Sequence, residues 1–425
     1  MKRLIVSRRT NKWALNLVLL LSLFLLSCSG SKDSIQENRT AAEILGNPAF
    51  SAISYGGYRS TTRKIQPSIE QLKADIQILH AMGIRLLRTY NLQFEHTPNL
   101  LKAIHELQIE NPSFEMYVML GTWIDCKNAW TDNPDHTQEN LVNNTSEIEK
   151  AIVLANKYPE IIKIIAVGNE AMVHWAWSYH VAPKVILKWV NHLQQLKSEK
   201  KLPKELWITS SDNFASWGGG DASYHNSDLT SLMRAVDYLS VHTYPFHDTH
   251  YNPSFWKKVP GDNLTTKDER IDFAMEQATN YAKMQYAQVK THMQSLGIDK
   301  PIHIGETGWA TKSNGFYGAK GSRAADEYKQ ALYFTKMLDW ATKNNITMIY
   351  FSAFDESWKD DNSPDASENN FGLFTIEGKA KYALWPLIDK GIFKVLSREE
   401  NGMPVEKTYD GKESVIWAIT NELND

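Results

Sequence analysis

Apolar and polar positions along this chain follow two rhythms that take turns. Short apolar runs of strand length, such as "IRLLRTY", "FEMYVML" and "IIKIIAV", alternate with longer stretches whose apolar residues recur every three or four positions. From about residue 50 the pattern predicts "FSAISYGGYR" as a strand, "IEQLKADIQILHAMG" as an amphipathic helix closed by Gly83, and "IRLLRTYN" as the second strand. The helix "TPNLLKAIHELQIE", with Pro98 near its start, leads to the strand "FEMYVMLGTWI". "NTSEIEKAIVLANKYP" is a third helix, capped at Asn144 or Thr145, and "IIKIIAVGNE" is the fourth strand. The helix "APKVILKWVNHLQQLKSEK" then leads to "LWITSSDNF", and a short helix around "LTSLMRAV" leads to "DYLSVHTYPF". A long helix over about 268–296 precedes "PIHIGETGWA", "AADEYKQALYFTKMLDWATKNN" precedes "ITMIYFSAFD", and a last helix falls near "KAKYALWPLID".

Eight strand–helix units over about 340 residues predict an α/β fold, a (β/α)8 barrel with room for long loops. The alternative is a doubly wound open sheet. That fold usually shows a Gly-rich first turn, and "SYGGYRST" is not one. Residues 48–390 are read as the barrel and 391–425 as an extension packed on it.

The first residues follow neither rhythm. A basic segment, "MKRLIVSRRTNK", precedes the apolar "WALNLVLLLSLFLL" and then "LLSCSG", the order of an export signal. The apolar run is short for a membrane-spanning helix. Residues 1–27 are therefore read as a signal peptide and 28–47 as a polar, flexible tether. The Leu-Leu-Ser-Cys ending resembles the lipobox of bacterial lipoproteins, which makes Cys28 the expected site of lipidation; an ordinary signal peptide cut elsewhere is the alternative. The resemblance implies an exported protein anchored in a membrane, with Ser29 suiting the outer membrane and either the periplasmic or the surface face left open. Only one other cysteine, Cys126, is present, so no disulfide framework is expected.

Composition narrows the partner. Removing the five basic residues of the signal leaves 41 Lys and Arg against 49 Asp and Glu, a net charge of −8, which argues against nucleic acid. Hydrophobic content of 42% describes a globular chain, and its core must hold it without disulfides.

The chemistry is expected at the C-terminal ends of the strands. Those ends carry Arg88 and Tyr90, Trp123 and Asp125, Asn169 and Glu170, Asp212 and Asn213, His242 and Tyr244, Glu306 and Trp309, and Asp355 and Glu356. Glu170 and Glu306 each follow an apolar strand and a glycine, on strands that face each other across the barrel mouth. A carboxylate at the end of a buried strand is costly unless it is paired, protonated or delivered to a cleft. Two carboxylates across one cleft are the equipment of glycoside hydrolysis, although a structural ion-pair role is the plainer alternative. Trp123, Trp175, Trp177, Trp217, Trp309 and Trp358 are candidate platforms for sugar rings, or core. His242, His247, Asp248 and His250 could be drawn as a metal site, but a polar loop over the cleft is the preferred reading. Arg59 and Arg88 either orient carboxylates or seal the barrel.

Four segments carry a family resemblance over roughly residues 50–385. "AVGNEA" and "IHIGETGWAT" resemble the strand-4 and strand-7 signatures of glycoside hydrolase family 17, with Ala310 and Thr311 where Pro-Ser is usual. "SVHTYPF" and "FDESWK" followed by "SENNFGLF" are similar to its strand-6 and strand-8 segments, and "RTYN" to its strand-2 Arg-x-Tyr. The resemblance implies Glu170 as general acid/base and Glu306 as nucleophile of a retaining hydrolase acting on β-1,3-glucans such as laminarin. It implies that Asn169 bonds the sugar 2-hydroxyl, that Tyr244 orients the nucleophile, and that Glu356, Lys359, Glu368, Trp309, Tyr90 and Trp123 serve the substrate. The departures at His242 and Ala310-Thr311 are expected not to touch the carboxylates. Physics assigns the same roles: the acid needs a raised pKa among apolar and anionic neighbours, the nucleophile needs donors, and a retaining pair lies about 5–5.5 Å apart. A monomer without cofactor or metal is expected. A transglycosylase of the same fold and a non-catalytic glycan-binding lipoprotein are the competing readings.

Overall fold

The computed structural model describes residues 39–258, 266–360, 362–399 and 402–422. Eight parallel strands close into a barrel: β1 (Ser51–Ser54), β2 (Ile84–Arg88), β3 (Tyr117–Thr122), β4 (Ile162–Asn169), β5 (Trp207–Asn213), β6 (Leu239–His242), β7 (Ile302–Thr307) and β8 (Met348–Tyr350). Each pairs with its sequence neighbours, and β8 returns to β1 through Ala52–Ile349 and Ile53–Tyr350. This is the expected (β/α)8 barrel. Parallel strands covered by helices are buried on both faces, which is why β4 is apolar from Ile164 to Val167, with Lys163 the one charged residue in the strand.

Among the described residues the α-helices, in order, are α1 (Ala41–Ile44), α2 (Ile69–Ala81), α3 (His96–Glu110), α4 (Leu141–Lys157), α5 (Pro183–Ser198), α6 (Ser227–Ala235), α7 (Pro245–Tyr251), α8 (Lys267–Ser295), α9 (Glu327–Lys343), α10 (Trp385–Asp389) and α11 (Glu413–Ile419). Caps fix several of their starts. Ser68 with Gln71 and Thr266 with Glu269 form capping boxes at α2 and α8. Helix α4 begins earlier than expected, with Asn140 as its cap. Asn144 is instead buried inside the first turn, where it exchanges two 3.0 Å hydrogen bonds with the Asp125 backbone and pins the loop after β3. "PFHDTHY", expected as loop, is helix α7, with Pro245 at its first position, where no amide hydrogen is needed. A two-strand hairpin, Cys126–Lys127 with Asp135–Glu139, also rises from the loop after β3.

The barrel has a filled floor. Ala52, Leu86, Tyr117, Met119, Ile164, Ala166, Tyr238 and Ile349 pack inside it, and Ala41, Ile44, Leu45 and Phe50 close it from below. Residues 39–47, expected as tether, are thus part of the folded domain: Thr40 caps α1 with a capping box and Ile44 is fully buried. The signal peptide, Cys28 and the rest of the tether lie outside the described residues. At the other end of the chain Phe393, Val405 and Ile416 are buried. Arg398 reaches Asp75 of α2 at 3.2 Å, and Lys329 donates to the Asn421 carbonyl. Among the described residues, no helix is long and apolar enough to cross a membrane.

Candidate active site

At the end of β4 the backbone turns through Gly168 at φ +82°, and a Cβ there would stand 2.9 Å from the Ala171 methyl, so only glycine fits. Glu170 itself sits at φ +46°, an uncommon conformation for a side chain of its size. Asn169 and Glu170 reach the cleft through this turn. Across the mouth, Glu306 ends β7 with its carboxylate ringed by donors. The Tyr244 hydroxyl donates to Oε1 at 2.5 Å, and Arg88 Nη1 donates to Oε2 at 2.5 Å. The Tyr90 hydroxyl lies 3.0 Å from Oε2. Arg88, fully buried, also donates to the Gly305 carbonyl at 2.8 Å and to Asn169 Oδ1 at 2.5 Å. One guanidinium fork therefore ties the β4 and β7 machinery together, and of its two readings the orienting one holds. Arg59 instead pairs with Asp75 and Glu399, away from the cleft.

These surroundings drive the two carboxyls apart. Burial, and then the nearby Glu306 charge, push Glu170 up to about 8. Burial also opposes ionisation of Glu306, but the Arg88 charge and the Tyr244 hydroxyl outweigh it and hold the carboxyl well below the usual range. His242 is itself pushed down to about 4 by burial, so it is neutral near neutral pH, and the charge that holds Glu306 ionised is that of Arg88. One carboxyl keeps its proton and the other does not, which is the division of labour between an acid and a nucleophile.

His242 corrects an expectation. Its ring is completely buried and Nδ1 lies 3.1 Å from Glu170 Oε1, so this departure from the family pattern does touch a carboxyl.

Around the pair the chain forms a cleft of about 1160 Å³. Glu356, Lys359 and Glu368 line it as a chain of charges, with Lys359 Nζ 3.6 Å from Glu356 and 3.8 Å from Glu368. Tyr90, Asn169, Tyr244 and Trp123 line it too. Trp123 belongs to an aromatic wall in which Tyr179 packs 5.0 Å from both Trp123 and Trp130. Trp130 and Trp175 present 62% and 63% of their surface to solvent at this wall. Trp358 lines the cleft beneath the Arg63 guanidinium, 4.2 Å from its ring.

Trp309 is not among the lining residues. It is fully buried, and its indole nitrogen donates to the Ala324 carbonyl at 2.8 Å, so it supports the wall from behind and offers no face to a sugar. Trp217 is likewise buried, bonded to the Ser240 carbonyl, and the exposed Trp177 stands outside the cleft. His247, Asp248 and His250 lie on α7, and among the described residues no group of three His, Cys, Asp or Glu side chains is placed to hold a metal.

Sequence reasoning passed over Glu147. Buried on α4, it accepts the Leu92 amide at 2.9 Å and the Trp123 amide at 2.8 Å, and so holds the loops after β2 and β3. Nothing in an amphipathic helical pattern distinguishes it from a solvated acid. Trp130 was missed because its loop has no periodicity.

The profile of the BtgE/BtgC glycoside hydrolase domain matches residues 52–372. A crystal structure of an endo-laminarinase from Formosa Hel1_33_131 is 58% identical, superposes with a TM-score of 0.89, and is covered over 98% of its length by 91% of this chain. A glucan 1,3-beta-glucosidase of Arthroderma benhamiae is 23% identical over 274 residues, 62% of this chain and 70% of that protein. A protein of Aspergillus niger named glucan endo-1,3-beta-glucosidase is 24% identical over 69% of this chain, which spans only 36% of its length.

Proposed function

The chain belongs to the BtgE/BtgC glycoside hydrolase family, and from that premise we propose that it is a retaining hydrolase of β-1,3-glucosidic bonds in laminarin-like glucans. The observation that carries the reading is two carboxyls lining one cleft in opposite surroundings: Glu306 accepts from Arg88 and Tyr244, which favours its charge, while burial and the Glu306 charge favour a proton on Glu170. The substrate comes from the endo-laminarinase, the relative with which 91% of the chain aligns. The family-17 signatures at β4 and β7 agree with it.

In this reading Glu306 attacks the anomeric carbon while Glu170 gives its proton to the departing glycosidic oxygen. Water then attacks the glycosyl–Glu306 ester, and Glu170, now a carboxylate, takes the water's proton. Asn169, held by Arg88, meets the 2-hydroxyl of the reacting sugar. Trp123, Trp130 and Trp175 stack neighbouring rings, and the Lys359 chain of charges holds hydroxyls. The protein works as a monomer without a cofactor, exported and tethered to a membrane by lipid on Cys28.

The test is reducing-sugar release and product sizing on laminarin, with anomeric configuration followed by NMR. Wild type is expected to give a ladder of β-configured products. Glu306→Gln and Glu170→Gln are expected to lose at least about 10³-fold in kcat while remaining folded. Products longer than the substrate identify a transglycosylase. Binding without cleavage by wild type returns the protein to the class of glycan-binding lipoproteins.

A further inference from the structure

A protonated Glu170 has two oxygens, and its proton is useful on only one of them. Oε1 faces inward, 3.1 Å from His242 Nδ1, and among the described residues this ring is the hydrogen-bond partner of the Glu170 carboxyl. The other ring nitrogen, Nε2, lies 2.8 Å from Ser211 Oγ, and Ser211 Oγ lies 2.8 Å from Ser240 Oγ. All three side chains are completely buried, stacked across β5 and β6 behind the acid. Space for them is built into the neighbouring strand. A Cβ on Gly305 would fall 2.0 Å from Ser240 Oγ and 2.5 Å from Ser211 Oγ, so the glycine before the nucleophile is also what admits the two serines.

We propose that the Ser240–Ser211–His242 chain fixes the tautomer of His242 and thereby keeps the catalytic proton of Glu170 on its cleft-facing oxygen. The inference rests on the reading of Glu170 as the acid/base. A neutral imidazole has one donor and one acceptor nitrogen. When Ser240 donates to Ser211 and Ser211 donates to Nε2, the ring proton sits on Nδ1 and is donated to Oε1. The acid's own proton is then held on Oε2. In the opposite tautomer Nδ1 would draw that proton onto Oε1, away from the leaving group. The single arrangement serves both half-reactions. Oε2 gives its proton to the glycosidic oxygen, the carboxylate left behind keeps its Nδ1–H bond, and Oε2 later accepts a proton from water. His242 keeps its own proton throughout and is a positioning residue.

The other groups that face this pair are Glu306 on β7, Arg88 on β2, Asp212 on β5, His247 on α7 and Glu368 after β8, with the phenols of Tyr244 and Tyr179. Arg88 is committed to Glu306 and Asn169, and Asp212 accepts from Ser216 and the Met172 amide. Burial keeps His242 uncharged at neutral pH, so the effect comes from hydrogen-bond direction and not from a second charge.

The experiment is the pH profile of kcat/KM on laminarin for wild type, His242→Phe, His242→Asn and Ser211→Ala, with Glu170→Gln alongside. The alkaline limb reports loss of the acid's proton. Removing a donor from a carboxylate raises its pKa, so His242→Phe is expected to move that limb up by about one pH unit and to lose about tenfold or more at the optimum. Asparagine places an amide N–H near the Nδ1 position and is expected to restore the limb. Ser211→Ala frees the wrong tautomer and is expected to shift it in the same upward direction. A folded His242→Phe or Ser211→Ala enzyme with lower activity and an unmoved limb overturns the proposal, and if the phenylalanine variant fails to fold, the serine variant decides alone. Full activity in Glu170→Gln would instead overturn the acid/base reading itself.

Discussion

At Glu170 the folded chain works against its own stability. Unfolded, this carboxyl ionises near 4.5; folded, burial and the Glu306 charge hold its proton until about pH 8. The folded state therefore binds more protons than the unfolded one between those values, and stability is lost as pH rises through that window. The opposite sign applies to Glu306, whose depressed pKa adds stability above its unfolded value and loses it in acid. Glu170→Gln removes the first liability and leaves the second group in place. The variant is expected to be more stable than wild type at about pH 7.5, by about 1–3 kcal/mol, and to match it at about pH 3.5, where both side chains are neutral. Denaturant unfolding at the two pH values checks this, and an equal difference at both would contradict the raised pKa. The positive φ of Glu170 points the same way: the acid is held by its neighbours in a conformation it would not choose.

Among the elements, strands were more legible than loops, and the reason is periodic. β4 and β7 announce themselves as apolar runs ending in Gly-Asn-Glu and Gly-Glu, because a buried strand must be apolar until it reaches the cleft. Glu170 and Glu306 stand out from strand position, and Asn169 and Tyr244 are placed at strand ends by position and given roles by the family resemblance. Side-chain direction in the connecting loops does not follow from position. Trp309, three residues past Glu306, turns inward because the Ala324 carbonyl and the ring of Tyr333, 5.1 Å away, receive it there. Trp130 turns outward from the loop between the hairpin strands, at φ +65°. No pattern of neighbouring residues distinguishes these two indoles. A kinetic experiment does. Trp130→Ala and Trp175→Ala are expected to raise KM for long laminarin chains by about tenfold, the loss of one stacked face each, with kcat and thermal stability near wild type. Trp309→Ala is expected to cost about 3–5 kcal/mol of stability, as a large core truncation does. A Trp309 variant that is fully stable and selectively weak for substrate would reverse the two assignments.

The molecule as a whole separates a mouth that carries the chemistry from a floor that carries none. The floor was the least legible part, because its plug lies in a polar segment: Thr40, Glu43 and Asn47 surround Ala41, Ile44 and Leu45, and four helical residues are too few to show a period. Ile44 nonetheless reaches the bottom layer of the barrel, in contact with the cluster that includes Leu86, Met119 and Ile164, and Gly46 donates to Thr347 Oγ1 at 2.7 Å at the N-terminal end of β8. Each of these contacts is at the opposite end of the strands from Glu170 and Glu306. Ile44→Ala is therefore expected to destabilise the protein by about 2–5 kcal/mol, the loss of a buried branched side chain plus the cavity it leaves. Its kcat and KM on laminarin, measured well below its melting temperature, are expected to equal those of wild type. A change in kcat without loss of stability would mean that floor and mouth are coupled through the barrel interior, and a variant as stable as wild type would return residues 39–47 to the tether.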